Sequence, residues 1–139
     1  MTIVKGIRIH SHGGPDVMSW EDIELAPPGP GEARVRHTAI ALNFSDINVR
    51  RGGFYQKDPL QRNVPAERLV KLPDNVSDLQ AASVMLKGLT ASNIINRIYR
   101  PAAGDTVLIH AAASGVGLLL TQWCKHYGAT VIGTVGNEA

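Results

Sequence analysis

The segment "HAAASGVGLLLTQWCKHYGA", His110 to Ala129, decides how this chain folds, because its pattern passes from strand to turn to helix. It continues "GDTVLI", a short β-rich run, and opens on small residues that suit a tight turn. From Gly115 onward, Val116, Leu119, Leu120, Trp123 and Tyr127 recur at spacings of three and four, which places them on one face of a helix. Gly128 follows as the C-terminal cap, since glycine enters the left-handed region without a Cβ penalty. "ATVIGTV" then returns to a strand pattern. Strand, turn, helix, strand is a βαβ unit, whose crossover is right-handed in nearly all cases. The expected class is α/β.

A turn of this kind carries the pyrophosphate of a dinucleotide when three glycines stand at set places. The first permits the turn, the second lets the backbone approach the phosphates, and the third lets helix and strand pack closely. Here those places hold Ala112, Ser114 and Gly117. Ser114 adds a side chain where the phosphate comes close, although its hydroxyl can donate to a phosphate oxygen. The backbone of Ala113, Ser114, Gly115, Val116 and Gly117 surrounds the start of the helix, where the helix dipole favours an anion. The alternative reading is that small residues here only permit packing. Domains selective for NAD place Asp or Glu about 20 residues beyond the turn, where the carboxylate binds the ribose 2′-hydroxyl and repels a 2′-phosphate. The corresponding stretch, "GTVGN", is uncharged, and Glu138 comes too late to be the counterpart. Thr134 and Asn137 offer hydrogen bonds to a phosphate instead, so the expected cofactor is NADPH rather than NADH.

Upstream, the chain reads as short strands broken by Gly and Pro. "IVKGIRIH", "MSWEDIEL", "EARVRHTAIAL" and "RLVKL" are β-rich, with turn clusters at "SHGGPD" and "APPGPGE". Ala33, Val35 and His37 alternate onto one face, as in a half-buried sheet or barrel wall. The period changes after "LPDN": Ser77 and Gln80 form a capping box, and "LQAASVML" continues as helix. A second helical stretch, "LTASNIINRIY", ends before Pro101.

Composition narrows the function classes. The 14 Lys and Arg are scattered among 12 Asp and Glu, for a net charge of +2, so no basic stripe points to nucleic acid or an anionic membrane surface. No apolar run approaches the ~18 residues of a membrane span. The single cysteine, Cys124, has no partner for an internal disulfide, fits a reducing compartment, and sits among helical apolar residues as a small core residue. A cytoplasmic location is therefore expected. One cysteine also cannot build a four-thiolate zinc site. His10 and His12 have ligand-like spacing, but beside "GGPD" they read as a solvent-facing turn; His37, His110 and His126 carry no partner pattern.

In order along the chain, "ALNFSDINVRRGGFY", "NVPAERLVKLPD", "AASVMLKGLTA" and "GDTVLIHAAASGVGLLLTQWCKHYGATVIGTV" resemble the zinc-free, zeta-crystallin-like quinone oxidoreductase branch of the medium-chain dehydrogenase/reductase superfamily. The resemblance implies a GroES-like, partly open β-barrel followed by an incomplete Rossmann domain. The catalytic portion would span residues 1–84, shortened near 61–62 where relatives carry a further segment, and the nucleotide-binding portion residues 85–139. In zinc-dependent relatives a cysteine stands where this chain has Asn43, so no catalytic metal is expected. The resemblance further implies that Asn43 and Tyr55 line the pocket where nicotinamide meets substrate, and that Lys87 and Thr90 contact the cofactor. An Asn amide or Tyr hydroxyl can hydrogen-bond the oxygen of a quinone or enone as it gains negative charge. The residues by themselves also permit Asn43 or Ser45 to cap the helix "DINVRR", Tyr55 to pack, and Lys87 to be a solvated end.

The activity so implied is NADPH-dependent reduction of a small-molecule quinone without zinc. Its rivals are an enal or enoyl-thioester reductase of the same superfamily and a noncatalytic binding or structural fragment. Because family members are often dimers, a homodimer is expected of a complete protein.

Overall fold

The computed structural model describes residues 2–52 and 64–136. The chain divides into two compact units, Met1–Pro73 and Asp74–Ala139. In the first, strands β1 (Thr2–Ile9) and β2 (Met18–Leu25) pair antiparallel from Thr2↔Leu25 to Ile9↔Met18. Their register sets Lys5 opposite Asp22, and the two side chains pair at 2.9 Å. Glu21 receives Arg8 at 3.1 Å and His10 at 3.0 Å; the His10 hydrogen bond is the main cause of a lowered Glu21 pKa. Strand β3 (Glu32–Ala33) pairs antiparallel with β4 (Val64–Pro65).

Two expected strands come out differently. Only Glu32 and Ala33 of "EARVRHTAIAL" lie in a ladder, and Ile40 is 80% exposed. "RLVKL" begins within a single 3₁₀ turn, Ala66–Arg68, and makes no ladder. Alternation and β-propensity describe a chain that suits a sheet, but a strand exists only where a neighbouring edge supplies its hydrogen bonds. Among the described residues, Val64–Pro65 is the edge that meets the first of these segments.

Helix α1 (Phe44–Arg51) is fixed at both ends. At its start the Asp46 carboxylate accepts the Asn43 N–H at 2.7 Å, and at its end Gly52 turns left-handed at φ 80°. His12 departs from its solvent-facing expectation. It is half-buried, and its Nδ1 donates to the Val49 carbonyl at 3.0 Å, while Gly13 N–H donates to Arg50 O. The last carbonyls of a helix have no intrahelical donors, and the histidine turn supplies them.

In the second unit the two expected helical stretches are continuous. Helix α2 (Asp78–Asn93) opens on the Ser77–Gln80 capping box, with Gln80 N–H on Ser77 Oγ at 3.2 Å and Ser77 N–H on Gln80 Oε1 at 2.9 Å. It runs into one π-helical turn, Ile94–Ile98, before Pro101. Positions 84 and 85 both lie inside α2. Strand β5 (Thr106–Ile109), helix α3 (Gly115–His126) and strand β6 (Thr130–Gly133) complete the βαβ unit, with β5 and β6 parallel from Thr106↔Thr130 to Ile109↔Gly133. Ile95, Ile109, Cys124 and Ala129 form the buried centre, and Leu120, Trp123 and Tyr127 of the expected helical face pack against it. Burial pushes the Cys124 thiol pKa up, as befits a core residue. Gly128 caps α3 at φ 83°.

Asp105 closes the approach to β5. Its Oδ2 accepts Ala102 N–H and the Tyr99 hydroxyl, each at 2.8 Å, and its carbonyl accepts Thr130 N–H at the start of β6. These bonds, the Ala102 amide first, lower the Asp105 pKa, and the carboxylate in turn raises that of Tyr99. A depressed carboxyl pKa adds stability above its unfolded value and loses it as pH falls through the folded one. Asp105→Ala is therefore expected to lower the thermal midpoint at pH 7, with the deficit against the parent shrinking below the ordinary Asp range; a deficit independent of pH would contradict this.

The second test of the fold concerns Gly117. A Cβ there would overlap the Ala111 carbonyl oxygen and lie 2.8 and 2.9 Å from Ala112 Cα and C. Backbone cannot yield as a side chain does, so Gly117→Ala is expected to cost about 1–3 kcal/mol in denaturant unfolding. An unchanged midpoint would show that α3 need not approach the turn so closely.

Candidate functional site

The turn between β5 and α3 is built without glycine at its tightest point. Ala111 takes the left-handed conformation at φ 53°, and its carbonyl accepts Ser114 N–H at 2.8 Å. Ala112, the expected first glycine place, is the neighbour of this residue rather than the turning residue itself. Only backbone geometry reveals the difference, because alanine gives no signal for positive φ.

Ser114 is the N-cap of α3, and its Oγ accepts Gly117 N–H at 3.1 Å. A hydroxyl can accept one bond and still donate its own proton, so Ser114 keeps a donor for an incoming oxygen. The first amides of a helix lack intrahelical acceptors, and those of Gly115 and Val116 are in that position. They combine with the positive end of the helix dipole.

Lys87 comes to the same place from α2. A Cβ built on Gly115 would lie 2.6 Å from Lys87 Cδ and 2.8 Å from its Cε, so the lysine stem packs directly over Gly115. The side chain is half-buried along its methylenes, with the ammonium one bond beyond Cε. The lysine stem thus lies against the start of α3, whose first amides and Ser114 hydroxyl are groups that suit a phosphate. Thr90, one helical turn on, spends its hydroxyl proton on the Leu86 carbonyl at 3.0 Å.

The carboxyl ends of the two strands are also joined. Thr134 N–H donates to Ile109 O at 3.0 Å, and Ala112 N–H donates to Thr134 O at 2.9 Å, so the β5–β6 ladder continues past both strands. Thr134 Oγ1 lies 3.1 Å from His110 Nδ1. A Cβ at Gly133 would come within 2.7 Å of Ala112 Cβ, which keeps this edge close to the turn. His110 had no partner pattern in the sequence; its position as the residue between strand and turn was the available signal.

Asn43 belongs to the first unit, where it holds the cap position of α1 and its Nδ2 donates to Ala41 O at 3.4 Å. Tyr55 and Asn137 lie outside the described residues. Among the described residues no group of three or more His, Cys, Asp or Glu could hold a metal ion. No described helix is long and apolar enough to cross a membrane.

No protein-family model matches the sequence. The chain is 36% identical to a 2-haloacrylate reductase of Burkholderia, over 98% of its own length and 54% of the relative's. It is 37% identical to a quinone oxidoreductase of Pseudomonas aeruginosa, over 97% of this chain and 54% of that one. Among solved structures, the Escherichia coli quinone oxidoreductase complexed with NADPH superposes with a TM-score of 0.85 at 30% identity, covering 96% of this chain and 53% of that chain. The chain thus spans about half the length of the relatives it matches. The match to the reductase also runs over 180 positions, more than the 139 residues present, so that relative carries internal sequence with no counterpart here. Over the half of each relative that it spans, the chain is similar to quinone oxidoreductases and a 2-haloacrylate reductase of the medium-chain dehydrogenase/reductase superfamily.

Proposed function

We propose that this chain is the part of an NADPH-dependent quinone oxidoreductase that receives the cofactor pyrophosphate, and that the reaction proceeds without zinc. The observation that carries this is the Lys87 stem seated over Gly115, which sets a cation beside the Ser114 cap and the first amides of α3. In this reading residues 1–84 are a GroES-like, partly open barrel and residues 85–139 the start of a Rossmann domain. Ala113 through Gly117 line the pyrophosphate, Lys87 neutralises it, and Thr90 and Thr134 make polar contacts to the cofactor.

Bound NADPH supplies the reducing electrons. The chain's own task is to bind, orient and stabilise charge. The Asn43 amide and the Tyr55 hydroxyl donate to the substrate oxygen as it becomes negative, a role that needs no metal. Asn43 is suited to this because its backbone is already fixed by Asp46, so a side-chain contact costs little further ordering. The substrate is a small quinone, the location cytoplasmic, and the complete protein a homodimer. The likeness to a 2-haloacrylate reductase supports a second reading, reduction of an activated alkene such as an enal or enoyl thioester. Turnover assays across quinones and α,β-unsaturated carbonyls separate the two; alkene reduction without quinone reduction would select the second.

Side-by-side titrations with NADPH and NADH are expected to show tighter binding of NADPH, and equal or tighter binding of NADH would sink the assignment. Lys87→Ala should weaken NADPH about fivefold, the factor that roughly 1 kcal/mol carries for a partly exposed ion contact. An unchanged affinity would make Lys87 a packing residue only.

Ser114→Gly is expected to hold or tighten nucleotide binding. It frees Gly117 N–H and admits the phosphate more closely, while glycine at an N-cap costs only a few tenths of a kcal/mol, about 0.3. A large loss of affinity by calorimetry would instead make the Ser114 hydroxyl a required phosphate donor.

A further inference from the structure

We propose that the outward face of the β1–β2 ribbon is a self-association surface, on which a second copy of this chain packs with β1 of one over β2 of the other. Side chains directly opposite in an antiparallel pair project to the same face, so the register divides the ribbon into two sides. One side carries Val4, Arg8, Glu21 and Ile23, with Ile23 half-buried over Gly6 and Arg8 on Glu21 at 3.1 Å. The other carries the opposed pairs Ile9↔Met18 and Ile7↔Trp20, then Lys5↔Asp22, then Ile3↔Glu24. Trp20 is 67% exposed and Ile7 63%, and Met18 and Ile3 are exposed with them. The wet face of an antiparallel ribbon is ordinarily polar, and a row of large apolar side chains there marks a contact surface.

The order of the pairs fits this face to itself. A two-fold axis parallel to the strands and midway between them sets each β1 residue over the residue that already opposes it within the chain. Ile7 then meets Trp20 of the second copy, Ile9 meets Met18, and Lys5 meets Asp22. At the Lys5 level the four side chains alternate in sign. Lys5 and Asp22 pair at 2.9 Å within one chain and are each more than half exposed, so both keep an open side for a second opposite charge. An axis running across the strands would instead set Lys5 on Lys5 and Asp22 on Asp22, which like-charge repulsion disfavours. The contact is isologous and closes as a dimer. Two eight-residue strands at about 3.3 Å per residue and about 4.8 Å apart give a small face, so the pairing is reversible, with Kd on the order of 10–100 µM.

Sedimentation of the whole chain, from roughly a tenth of that Kd to tenfold above it, should show monomer passing into dimer. A monomer throughout would overturn the proposal. Over the same range Trp20 emission should move to the blue, against a steady background from Trp123 on the core. Trp20→Lys should weaken association roughly tenfold or more, and dimerisation at parental strength would place the contact elsewhere and overturn the assignment. The charge pair gives the sharper test. Lys5→Glu leaves acids at both places of the face, and Asp22→Lys leaves bases at both. Neither variant alone should associate, whereas an equimolar mixture should form a one-to-one dimer near the parental affinity. Recovery on mixing cannot come from a chain that has lost its fold, so it separates a lost contact from a lost structure. A mixture that stays monomeric would overturn the two-fold arrangement. The surface belongs to the first unit and does not depend on the cofactor reading of the second.

Discussion

The close approach at Gly117 governs the rest of the second unit. Because no Cβ intervenes, the first turn of α3 sits on the backbone of Ala111 and Ala112. That contact fixes where the helix begins relative to the end of β5, and so where its first amides emerge. It also brings Ser114 to the cap and aligns Leu120, Trp123 and Cys124 with the core around Ile95 and Ile109. A helix displaced by one side-chain radius would lose both the position of its first amides and the packing. The cost of so tight a turn is carried by Ala111, whose left-handed conformation a β-carbon makes less favourable than it is for glycine.

Around that constraint, separate elements converge on one place. Helix α2 contributes Lys87, α3 its amides and the Ser114 hydroxyl, and the ends of β5 and β6 contribute His110 and Thr134. Each is positioned by local chemistry that is independently satisfied. The capping box at Ser77 starts α2, Asp105 sets the loop before β5 and reaches the first residue of β6, and Gly128 ends α3. The first unit shows the same economy at α1, where Asp46 holds the entry and His12 the exit.

The buried centre is small for a chain that is 44% hydrophobic. Trp20, Ile40, Phe44 and Leu79 are among the large apolar side chains that stand exposed, Leu79 at 70%. A sheet buries its faces only when layers cover it, and the two parallel strands β5 and β6 pack against α3, which in turn packs against α2.

What the sequence determined was everything set by spacing or by short-range chemistry. The three-and-four recurrence of Val116, Leu119, Leu120, Trp123 and Tyr127, the Ser77–Gln80 box and Gly128 fixed the βαβ unit and the start of α2, because each is satisfied within a few residues of itself. Tertiary structure decided what depends on a distant partner. "EARVRHTAIAL" has a strand's composition, yet only Glu32 and Ala33 find an edge. His12 sits in a turn by sequence but caps a helix distant in the chain, and His110 finds its hydrogen-bond partner only when β6 brings Thr134 to it. Ala111 turns left-handed although nothing in its identity calls for it, and its carbonyl lies where a Cβ at position 117 would fall. Local periodicity and capping are written in consecutive residues, whereas hydrogen-bond partners across units of structure exist only once the backbone has closed.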